Sequence, residues 1–226
     1  MDLYGHTFPS TRYCIGCLEA DAAEEDQRRA ETLFGQAHVP KEYYECSFAN
    51  FKRYPGNGTA LELAMSWAGE LRKDQKPNRG LLFTGPSGSG KTHLAIAVIR
   101  EFVFGTFKSA LFLNVPEWLN DVRVALNSSD HGAVPSPRGF KLLVIDDIGA
   151  ERNTPWAEDQ LYTVLNNRES NGLPTIVTTN LSERDLASRL GRASSSRLQK
   201  LCKPVPIDIH HDLRNASPSA GLGSQG

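Results

Sequence analysis

Four runs of the chain are apolar at consecutive rather than alternate positions: 81–84, 110–114, 141–146 and 174–179. A strand covered on both faces carries this pattern, so the runs predict buried parallel strands. Stretches with helical spacing lie between and after them and predict helices over about 91–104, 116–126, 155–171 and 182–200. Strand and helix in alternation imply βαβ units, and 205–209 supplies a fifth strand. Leu61, Ala64, Met65, Ala68 and Leu71 recur on one helical face and predict an amphipathic helix over 59–73, with Asn57 or Thr59 as cap. Pro55-Gly56-Asn57-Gly58 breaks the chain just before it, and Tyr43, Tyr44, Phe48 and Phe51 cluster before the break.

The flanks read differently. Residues 1–40 are polar, with an acidic run over 19–26 followed by Gln27-Arg28-Arg29, and are either a small separate element or a solvated tail or single helix. Residues 127–139 suit an exposed loop, and 215–226, small and polar, suit a disordered tail. The expected division is a small N-terminal element over 1–40, an ATPase domain over 41–214 and the tail.

Composition narrows the class. At 226 residues, 39% apolar and 23% charged, the chain suits one folded, soluble α/β core with a small appendage. It has no run of 18 apolar residues and no basic-then-apolar start, so no membrane is expected and the cytoplasm is the expected compartment. Four cysteines, two of them in Cys14-Ile15-Gly16-Cys17, make no disulfide framework at this size. The net charge of −1 provides no global attraction to nucleic acid, so DNA binding would need a local basic surface.

Candidate chemistry begins at Gly85-Pro86-Ser87-Gly88-Ser89-Gly90-Lys91-Thr92. Glycines at this spacing let backbone N–H groups wrap phosphate oxygens at a helix N-terminus. Lys91 then reaches the β- and γ-phosphates, and the Thr92 hydroxyl is placed to ligate Mg²⁺, which makes Mg-ATP the expected ligand. The run 142–147 is an apolar strand ending in Asp146 and Asp147; if its strand adjoins the phosphate-loop strand, Asp146 reaches the metal and Asp147 orients a water. Asn180 ends the strand at 174–179, where ligands of such sheets bind, and is a candidate for the γ-phosphate or the attacking water.

These residues resemble the AAA+ ATPases of the DnaC/DnaI helicase-loader group, with IstB-like ATP-binding proteins as close relatives. The resemblance covers about residues 37–214 and rests on 38–44, 47–51, 85–92, 145–151, Trp156, Gln160-Leu161, Arg168 and 173–181. It implies a P-loop three-layer α/β sandwich of AAA+ type with a five-stranded parallel sheet, and an ATP-dependent homo-oligomer. It assigns Arg197, in Ser196-Arg197-Leu198, to the ATP of the neighbouring subunit, and Arg214 to nucleotide bound in its own subunit. Segment 43–51 is expected at the adenine. Loaders of the DnaI type carry a zinc-binding N-terminal module that contacts the helicase, and Cys14 and Cys17 resemble half of one. Two thiolates with His6 or His38 fall short of four ligands, leaving a degenerate knuckle, ligands shared with another subunit, or a truncated start. The implied function is loading of the replicative DNA helicase on single-stranded DNA; assistance to a transposase on duplex DNA is the alternative. Arg184, Arg189, Arg192, Arg197, Lys200 and Lys203 are the expected DNA track.

Overall fold

Five strands form a single parallel sheet: β1 (Gly80–Thr84), β2 (Ala110–Asn114), β3 (Leu142–Asp146), β4 (Thr175–Thr179) and β5 (Cys202–Pro206), in the order β2-β3-β4-β1-β5. The computed structural model describes residues 15–127 and 134–209. Side chains alternate between two cores, as the pleat requires. Leu81 and Phe83 face α1 (Ile15–Gly35), α2 (Gly58–Arg72) and α3 (Lys91–Thr106), while Leu82 faces α4 (Val115–Asn127), α5 (Pro155–Ser170) and α6 (Glu183–Leu201). The result is the three-layer sandwich expected.

Two expectations about the sheet need correction. Strand β5 begins three residues earlier than the apolar run 205–209, because Pro204 and Pro206 read as breakers although an edge strand tolerates them. Ile207 and Ile209 are still buried beyond its end, and the Ile207 N–H donates to Thr84 O at 2.7 Å. Strand β3 does not adjoin β1 either, because β4 lies between them. Any side chain of β3 meets the phosphate loop across the end of β4.

Helix starts follow local chemistry. Thr154 caps α5 by accepting from the Ala157 N–H at 3.2 Å, with Pro155 in the first turn. Asn57 is the N-cap residue of α2 but is fully buried and used otherwise: its amide accepts from the Tyr54 N–H at 2.9 Å and donates to Lys52 O at 3.0 Å. Helix α6 is two limbs meeting at Gly191, whose φ of 73° and ψ of 168° suit only glycine.

Helix α1 has two halves. Residues 20–29 are exposed all round, whereas Ala30 and Phe34 are buried, Phe34 against Tyr44 and Phe104, as are Ala37 and Val39 just beyond the helix. Ala37 O accepts from the Phe112 N–H at 2.7 Å, so the segment after α1 lies along the edge strand β2. At the starting ends of β3 and β4, Arg168 is fully buried and donates to Phe140 O, Lys141 O, Pro174 O and the Thr175 hydroxyl at 2.5–3.1 Å. No helix among the described residues is long and apolar enough to cross a membrane.

Candidate nucleotide site

The carboxyl ends of β1, β4 and β3 open onto a cavity of about 560 Å³. The loop from β1 to α3 wraps its floor. Gly85, at φ 153°, packs so closely on the last segment that a Cβ would fall 2.4 Å from Ile207 O. Gly90, at φ 95°, turns the chain into α3, whose N-terminus then faces the cavity. Gly85 thus seats the loop against the last segment, and Gly90 lets the backbone turn toward the cavity.

Lys91 and Asn180 belong to one hydrogen-bonded chain. Lys91 is 7% exposed, and its ammonium donates to Gly85 O at 2.9 Å, Pro86 O at 2.8 Å and Asn180 Oδ1 at 2.8 Å. Asn180 in turn donates through Nδ2 to Asp147 Oδ1 at 2.7 Å. Asp147 sits at φ 59°, held by its N–H on the Thr178 hydroxyl at 3.0 Å and by the Ile148 N–H on Thr178 O at 3.0 Å. The same Thr178 hydroxyl donates to Asp146 Oδ1 at 2.7 Å, and the Thr92 hydroxyl donates there at 3.0 Å. Intervening β4 therefore carries the bridge between the two acids.

Asp146 is 5% exposed, and burial pushes its carboxyl above the usual carboxylate range, with the Thr178 and Thr92 bonds pulling the other way. A buried carboxylate beside a hydroxyl is a hard oxygen pair that fits Mg²⁺. Burial of a carboxylate is costly, the Lys91 ammonium offsets it only in small part, and a bound divalent ion would offset it further.

The other wall comes from the aromatic segment. Tyr43, Cys46, Asn50, Phe51 and Lys52 line the same cavity. The segment is fastened to α3 by His93 Nε2 on Ser47 O at 2.9 Å, Phe51 edge-on to the His93 ring and Arg100 Nε on Cys46 O at 3.1 Å. Thr178, His93 and Asn114 are site residues that sequence reasoning passed over. Asn114 had a visible signal, a polar residue ending an apolar strand like Asp146 and Asn180; its register partner is Asp146.

Arg197 is absent from the lining of this cavity. It sits on the second limb of α6 and pairs with Glu169 at 2.9 Å. Arg214 and Cys14 lie outside the described residues; Cys17 falls within α1, and among the described residues no group of three His, Cys, Asp or Glu side chains is placed to hold a metal. The expected basic track also changes. Gly191 separates Arg184 and Arg189 from Arg192, Arg197 and Lys200, Lys203 belongs to β5, and Arg189 is tied to Glu151 O. Arg184, Arg192 and Lys200 are exposed.

The likeness to known proteins agrees with this geometry. The chain is 24% identical over 196 residues to the uncharacterized protein YqaM of Bacillus subtilis (strain 168), covering 82% of this chain but only 62% of that protein. It is 24% identical over 190 residues to the replicative helicase loader DnaC of Escherichia coli (strain K12), covering 81% of this chain and 76% of DnaC. Among solved structures, the DnaC helicase loader superposes with a TM-score of 0.66 at 24% identity, covering 75% of this chain and all of that one. The replication initiator DnaA bound to AMPPCP and single-stranded DNA superposes at 0.63 and 17% identity, covering 76% of this chain and 51% of that one. The fold is thus the AAA+ form of the P-loop sandwich. A sequence model of the IstB-like ATP binding proteins matches residues 16–203, from α1 into β5, and the chain belongs to that family.

Proposed function

We propose that the protein is an ATP-dependent loader of a replicative DNA helicase that binds and hydrolyses Mg-ATP and binds single-stranded DNA. The observation carrying the ATPase reading is the chain from Lys91 through Asn180 to Asp147, which links the phosphate loop to an acid able to orient water. Gly85 to Thr92 hold the triphosphate, with the α3 N-terminus and the Lys91 ammonium on its terminal oxygens. Thr92 and Asp146 would hold Mg²⁺, which when bound neutralises charge on the β- and γ-phosphates. Once phosphate oxygens take the Lys91 ammonium, Asn180 is free to contact the γ-phosphate or the water that Asp147 orients. Arg197 acts on the nucleotide of the next subunit in a homo-oligomer, and Arg214 on its own.

The loader reading draws on the relatives named DnaC and on the exposed half of α1, which carries Asp21, Glu24, Glu25 and Asp26 clear of the domain. Helicase binding is assigned to residues 1–40, with Cys14 and Cys17 as candidate zinc ligands within it. The IstB-like family match favours a second reading, an ATPase assisting a transposase on duplex DNA. Co-elution with the host's replicative helicase, and DNA binding with and without ATP, separate the two. The loader reading expects co-elution, loss of it on reversing the charges of Glu24, Glu25 and Asp26, and a preference for single strands, with binding that weakens steeply with salt. A protein that ignores the helicase and prefers duplex DNA is a transposition helper instead.

A further inference from the structure

We propose that Glu169, with Tyr162 beside it, latches Arg197 in a withdrawn position, so that its action on a neighbouring nucleotide begins only when subunits assemble. This regulation rests on the reading of Arg197 as a residue acting in trans. Both latch residues belong to α5 and lie two helical turns apart on the side that meets α6. Arg197 Nη1 donates to Glu169 Oε2 at 2.9 Å, and Tyr162 lies close enough to the same guanidinium to raise its pKa.

The pair is neither open nor sealed, with 31% of the Arg197 side chain and 23% of the Glu169 side chain exposed. A contact of that kind persists in a lone subunit yet can be exchanged. The limb carrying Arg197 joins the rest of α6 at Gly191, where a Cβ would meet nothing closer than Glu158 Oε2 at 3.8 Å. Space around the joint is open, and the backbone there takes a conformation that no other residue accepts readily.

Charge arithmetic supplies the sign of the effect. A guanidinium matched by a carboxylate does less for negative charge developing elsewhere, because the carboxylate cancels part of its field. A γ-phosphate brought by a neighbour competes for the same planar fork of donors. Glu169 therefore raises the threshold for hydrolysis, and its loss is activating.

The test is ATP turnover of the full-length protein against protein concentration, for the wild type, Glu169→Gln, Tyr162→Phe, Arg197→Ala and the Glu169→Gln/Arg197→Ala pair. Glu169→Gln should raise turnover about two- to fivefold, the range of a partly screened ion pair, with onset at lower protein concentration. Tyr162→Phe should give a smaller rise, and the double variant should be as low as Arg197→Ala. Nucleotide Kd below the assembly concentration should not move. Turnover of Glu169→Gln at or below wild type, with Arg197→Ala inactive, overturns the latch and leaves the trans arginine standing. An Arg197→Ala protein that turns over like wild type overturns the trans reading and the latch with it.

Discussion

Lys91 and Arg168 are both buried cations, but they stand at opposite ends of the same sheet and are held differently. Arg168, at the starting ends of β3 and β4, has three main-chain carbonyls and the Thr175 hydroxyl as acceptors, and burial lowers its pKa to about 10. Its surroundings are the sheet itself. Lys91 also leans on carbonyls, but it lines a cavity of about 560 Å³, and one of its partners is the exposed Asn180. A phosphate can enter and replace those partners. One cation is enclosed by the sheet and the other faces a cavity, although both satisfy the rule that buried charge must be hydrogen-bonded.

The sharpest way to break this contrast is to exchange the consequences. Arg168→Met should strip four acceptors of their donor, the buried Thr175 hydroxyl among them, and cost roughly 3–5 kcal/mol, read as a lower midpoint in urea or as loss of soluble protein. Soluble protein with an unchanged midpoint would remove the structural role of Arg168. Lys91→Ala should do the reverse, leaving the unfolding free energy from urea melts within about 1 kcal/mol of wild type while ATP hydrolysis falls on the order of 10²–10³-fold. Asp146→Asn belongs with it: Mg²⁺ dependence should weaken by at least the roughly tenfold that loss of even an outer-sphere partner costs. Hydrolysis near wild type in either variant would cancel the site assignment.

Strand β4 refines the comparison, because it reaches both ends. Thr175 touches Arg168 and Thr178 touches Asp146. Each Thr→Val change keeps shape and removes one hydroxyl, with an expected cost of about 1–3 kcal/mol at the sealed end and less at the open one. Thr175→Val should leave kcat alone, whereas Thr178→Val should lower kcat with little change in stability. If both lower kcat equally, the two ends of the sheet are not separable.

Much of this was readable in the sequence, and the gaps have physical reasons. Strands β1 to β4 and helices α2 to α5 follow apolar runs and helical spacing, which are local signals, whereas the Thr154 cap of α5 came from the structure. The phosphate loop, Asp146, Asp147 and Asn180 were legible because strand ends carry the polar residues of such sheets, and the geometry brings them together. Strand order is not local, so the insertion of β4 between β1 and β3, and with it the role of Thr178, had to come from the structure. Gly191 reads as an ordinary helix glycine until its φ is known, which is why six basic residues looked like one continuous track. Arg168 drew notice only through resemblance, since nothing in an amphipathic pattern reveals that a charged residue points inward.

The bond from the Phe112 N–H to Ala37 O has a consequence for solubility. Strand β2 is the outermost of its side, and an open strand edge recruits other chains by the same hydrogen bonds that build sheets. The few residues after α1 act as a stopper on that edge, fastened at one end by Phe34 in the core. Cutting the chain beyond residue 40 would pull the stopper and leave a template for self-association, so a domain trimmed there should aggregate with rising concentration even with its nucleotide site intact.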